Sequence, residues 1–95
     1  MNLQDISVLH TMKKNVETAT KETIGKLAQE VPDLITLAET SPREVKLELL
    51  EISKALIDKL QECFPEVIKD DGWKQYEIIR DRLKIEIMET RFAVR

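Results

Sequence analysis

The sequence predicts an all-α protein: a small up-and-down helical bundle of three long helices plus one short helix, a single domain over residues 1–95. Three observations carry that reading. Leu, Ile and Val recur at three- and four-residue steps over long stretches, the spacing of a helix that buries one stripe. Two glycines and three prolines leave little material for the turns of a many-stranded sheet. Ninety-five residues are enough for one hydrophobic core and not for two.

The first helix is expected from about Asp5 to Glu30. Leu9, Met12, Val16, Thr20, Thr23, Ile24, Leu27 and Val31 share one stripe, and Asp5 can cap the start by accepting backbone N–H bonds. Its weak stretch is Glu17 to Thr23, where three threonines thin the stripe and lower helix propensity. Val31-Pro32 marks a break, because the residue before a proline is disfavoured in helical conformation. Leu34, Ile35, Leu37 and Ala38 then give a short helix to about Glu39, either separate or a kinked continuation of the first.

Ser41-Pro42-Arg43-Glu44 has the form of a capping box. The serine would bond the N–H three residues on, and the glutamate would reach back. The helix that follows carries Val45, Leu49, Ile52, Leu56, Leu60 and Cys63, flanked by Leu50, Ile57 and Phe64. A face this wide can touch two neighbours, so this is the expected central helix, ending at Phe64-Pro65. Residues 65–68 read as a turn, Asp70 or Asp71 as a cap, and the last helix as about Trp73 to Phe92.

That last helix has two apolar faces. At 100° per residue, Tyr76, Ile79, Leu83 and Ile87 fall within about 80° of one another, with Trp73 at the edge. Ile78, Ile85, Met88 and Phe92 cover a similar arc of about 80° on the opposite side. A lone bundle needs one such face. Three arrangements account for the second: the short helix over residues 32–40 folds across it, its C-terminal turns fray, or it stays exposed. An exposed strip would serve as a homodimer seam or dock a partner protein's helix.

Composition narrows the function. A net charge of −3 argues against nucleic acid as a partner. The four arginines of the C-terminal region, Arg80, Arg82, Arg91 and Arg95, are interleaved with acids, as on a solvated helix face. No apolar run approaches the ~18 residues of a membrane span, and residues 1–5 have no secretory character. Location in the cytoplasm, without a membrane partner, is the expectation. One cysteine, Cys63, and one histidine, His10, give no disulfide and no set of metal ligands, and no Gly-rich phosphate loop is present. No metal and no cofactor are therefore expected. Glu44, Glu48 and Glu51 are placed on the outer face of the central helix as solvated acids, Cys63 as a small buried hydrophobe, and Trp73 and Tyr76 as core and interface anchors.

The stretch His10-Thr11-Met12-Lys13 is similar to the His-x-Leu-Lys signature of histidine phosphotransfer domains, which are themselves acidic helical bundles. The resemblance implies His10 as phospho-acceptor and Lys13, one turn along, as the group that stabilises phosphate charge. Lys14 stands where that family has a glycine, and the family's histidine usually lies on a later helix. The leading expectation is a non-enzymatic interaction module that associates with itself or with a partner helix through Ile78, Ile85, Met88 and Phe92. A His10 phosphotransfer domain is the alternative.

Overall fold

At Ala19-Thr20 the chain turns back on itself. The computed structural model describes residues 6–66 and 71–92, and within them five helices follow in order: α1 (Ile6–Thr18), α2 (Lys21–Ala28), α3 (Val31–Glu39), α4 (Arg43–Cys63) and α5 (Asp71–Phe92). The expected first helix of residues 5–30 is thus two helices, divided inside its threonine-rich stretch. Thr18 Oγ1 donates to the Lys14 carbonyl at 3.3 Å. Thr20 adopts extended backbone, and its hydroxyl oxygen accepts from the Thr23 N–H, capping α2. Hydroxyls that bond nearby main chain offer an alternative to continued helix, and here that alternative is taken.

The direction of each helix follows from its cross-links. His10 lies beside Glu48 and Lys13 beside Glu51, so α1 runs the same way as α4. Lys21 and Gly25 of α2 sit against Phe64, with the Lys21 ammonium 4.7 Å from the ring centroid. From that end of α4 the chain must return to Arg43 at the other, and α2 with α3 makes the descent. Arg43 meets Thr90 and Arg80 meets Gln61, so α5 is antiparallel to α4. The up-and-down bundle expected from sequence therefore has α1 up, α2–α3 down, α4 up and α5 down.

All four other helices pack on α4, the central helix. Val45, Leu49, Leu50, Ile52, Leu56 and Ile57 are buried on it, together with Ser53, whose hydroxyl donates to the Leu49 carbonyl at 2.8 Å. That internal bond lets a polar side chain sit in the core without an orphaned donor. Leu9 and Val16 of α1, Ile24 of α2, and Val31, Leu34 and Ala38 of α3 complete this core, with Leu83 and Ile87 from α5. Cys63 and Tyr76 are half-buried against it.

Two local expectations change. The break before α3 falls at Gln29-Glu30, and Val31-Pro32 forms its first turn. The capping box at Ser41 is not made. Pro42 is the residue flanking α4, and Ser41 Oγ donates backwards to the Leu37 carbonyl at 2.7 Å. With three residues between the helices, Ser41 lies one position too early to cap α4 and instead satisfies a carbonyl at the end of α3. Phe64-Pro65 ends α4 as expected. The Asp5 and Asp70 caps, the turn at residues 67–68 and the Trp73 side chain lie outside the described residues.

Candidate association surface

Antiparallel packing on α4 turns one face of α5 inward and leaves the other outward. Inward are Leu83 at 2% exposure and Ile87 at 8%, flanked by half-buried Tyr76 and Ile79. Outward are Ile78 at 61%, Ile85 at 59%, Met88 at 61% and Phe92 at 71%. These four are the sequence-predicted interface residues, and the fold puts them on one outward face of α5. The short helix does not cover them. α3 packs on α4, and its Ile35 and Glu39 face the inner edge of α5 at Ile79, Leu83 and Glu86.

The end of the strip is held. Arg43 Nε donates to the Thr90 carbonyl at 2.9 Å, and a second guanidinium nitrogen donates to the Arg91 carbonyl at 3.0 Å. A helix leaves its last carbonyls without internal partners and carries partial negative charge there, so a guanidinium is a good match. Charged side chains border the strip, where Arg82, Lys84, Glu89 and Arg91 are all exposed, and exposed Asp81 stands within it.

A second cluster joins three helices. Lys13 Nζ donates to Glu51 Oε1 at 2.9 Å and lies 3.9 Å from Glu48 Oε2. Arg91 of α5 pairs with the other oxygen of Glu51. His10 Nε2 is 3.2 Å from Glu48 Oε1. Glu48 and Glu51 are each only 16% exposed, so the solvated outer-face position expected of them is corrected. α1 and α5 close over that edge of α4, while Glu44 remains exposed. The hydrogen bond to Glu51 is the largest effect and holds the Lys13 ammonium above the ordinary lysine range; burial opposes it, and the charges of Glu51, Glu48 and Glu17 add to it.

His10 is exposed at 58%, and the structure brings it together with Lys13 as the phosphotransfer resemblance requires. Both side chains are engaged by carboxylates, however. An incoming phosphoryl group would meet Glu48 beside the imidazole and Glu51 beside the ammonium, two negative charges where positive potential is needed.

Sequence reasoning missed one surface feature. An open groove of about 700 Å³ runs between α1 and the α2–α3 pair, lined by Val8, Met12, Leu27 and Leu34 among polar neighbours. It exists because α1 and α2 are antiparallel, and the apolar stripe of one continuous helix gives no sign of it. Among the described residues no group of three or more His, Cys, Asp or Glu side chains is placed to hold a metal ion. Among them, too, no helix is long and apolar enough to cross a membrane. Comparison with protein-family models, with curated proteins and with solved structures returns no match.

Proposed function

We propose that this chain is a non-enzymatic protein-interaction module that self-associates through the outer face of α5. One observation carries the reading: Ile78, Ile85, Met88 and Phe92 stay about three-fifths or more exposed on a helix that already has a complete inner face. Burying a large apolar side chain is worth about 1.5–3 kcal/mol, so four side chains left largely in water represent a substantial unused driving force. Soluble monomers seldom keep such strips contiguous. Anchored at Arg43, the strip is presented without the ordering cost that a frayed helix end would add. A second copy of the chain is the occupant, because enlarging the core by association suits a domain this small.

A dilution series followed by methyl NMR tests this. On raising the concentration, the methyl signals of Ile78, Ile85 and Met88 should shift together, while those of Ile52 and Leu56, fully buried on α4, stay fixed. Signals that shift instead along the groove at Val8 and Leu27 would contradict the assignment.

A further inference from the structure

The seam of a dimer through α5 can run parallel or antiparallel, and its side chains distinguish the two. Ile78, Ile85 and Phe92 repeat every seven residues, the register of a helix–helix seam. In the line of that repeat, Asp81 lies one turn from both Ile78 and Ile85 and is exposed. Arg82 and Glu89 share one border, while Glu77, Lys84 and Arg91 share the other.

Resting on the self-association reading above, we propose that two copies pack their α5 helices antiparallel about a two-fold axis at Ile85. In a parallel seam identical residues face each other, which brings Asp81 against the partner's Asp81 inside an apolar strip. Like charges there are repulsive and poorly hydrated. An antiparallel seam centred on Ile85 puts the two aspartates eight residues apart along the axis, roughly 12 Å, so neither has to leave water against the other.

The borders then match. Arg82 faces the partner's Glu89, and by symmetry Glu89 faces the partner's Arg82, so one contact occurs twice. On the other border Glu77 faces the partner's Arg91, whose planar fork of donors can serve both Glu51 and a partner carboxylate. Lys84 meets its own copy near the axis and, as a long exposed side chain, can turn out to solvent. In the seam Ile78 lies against the partner's Phe92, and Ile85 against itself. A parallel seam would also set opposite charges against each other on its borders, so the orientation rests on Asp81 and the borders fix which residues pair. Four largely exposed apolar side chains supply on the order of 500 Å² per chain, short of the roughly 800 Å² per partner of a stable interface. A stable seam therefore has to take in the charged borders as well.

Charge exchange across the seam separates the orientations, because the parallel seam pairs the same residues differently: Arg82 with the partner's Glu77, and Lys84 with the partner's Glu89. Sedimentation equilibrium at low salt is run on wild type, Arg82→Glu, Glu89→Arg and the double variant Arg82→Glu/Glu89→Arg. The antiparallel seam predicts that each single variant dissociates about tenfold more readily, from two attractive contacts turned repulsive, and that the double variant returns to within about threefold of wild type. A double variant weaker than either single, or single variants indistinguishable from wild type, overturns the antiparallel seam and leaves self-association standing. A wild type that stays monomeric overturns both.

Discussion

Arg43, the first residue of α4, donates from Nε to the carbonyl oxygen of Thr90, two residues before the end of the described α5, at 2.9 Å. A second bond from the same guanidinium reaches the Arg91 carbonyl. The start of one long helix thereby closes the end of the next. Fraying of the last turns, one account of the second apolar face of α5, is opposed by this contact, and Met88 and Phe92 are held in line with Ile85.

Arg43→Ala should therefore loosen the last turn of α5 more than it destabilises the whole. The expected cost in global unfolding is about 1 kcal/mol, the scale of hydrogen bonds from an exposed charged donor. Amide hydrogen exchange checks the location: protection should fall at residues 88–92 and remain near wild type along α4. Uniform loss along the chain would show that Arg43 does something other than close α5.

Leu56→Ala should be far more damaging than the loss of a surface contact. Leu56 is fully buried in the middle of the central helix, and removing its side chain should cost about 2–5 kcal/mol by urea denaturation. A loss under about 1 kcal/mol would contradict its place at the centre of the core.

Thr20→Ala tests the reversal between α1 and α2. The Thr20 side chain accepts the Thr23 N–H and so caps α2, and its loss should cost about 0.5–2 kcal/mol. An unchanged midpoint would mean that the turn is set by tertiary packing alone.

The Lys13 cluster gives a pH signature. Its folded pKa is raised above 10.5, first by the hydrogen bond to Glu51. A raised pKa means that the stabilisation is complete below 10.5, the unfolded value, and disappears as pH climbs through the folded value. Lys13→Met should therefore be less stable than wild type by about 1 kcal/mol or less at neutral pH, allowing for solvent screening. The gap should hold to about pH 10 and close above it. A gap that closes on acidification alone would place the effect on a carboxylate instead.

The strip on α5 was legible in the sequence because a straight helix of uninterrupted periodicity places Ile78, Ile85, Met88 and Phe92 by angle alone. The wide face of α4 was legible for the same reason. What sequence concealed depends on neighbours. Thr18, Ala19 and Thr20 weaken a helix without saying whether it bends or reverses; the packing of α1 and α2 on α4 goes with the reversal, and the Thr20 hydroxyl caps the second helix. Ser41 fits a capping box by spacing, but the shortness of the α3–α4 connection sets which helix it serves. Glu48 and Glu51 border the α4 stripe, and their burial depends on Lys13 from α1 and Arg91 from α5, separated from them by about 40 residues of chain.

The claim that the outer face of α5 is an association surface, and not core, is tested most directly by Ile85→Glu, measured for solution mass and for helical circular dichroism together. The account predicts a wild-type mass near twice the 11.0 kDa of the chain and a variant near that single value, with the helical signal unchanged. A buried charge without a partner is costly in a dry seam and harmless on an open surface. A dimer that survives Ile85→Glu would place the seam elsewhere. A monomeric wild type that Ile85→Glu unfolds would make the strip internal core and contradict the account.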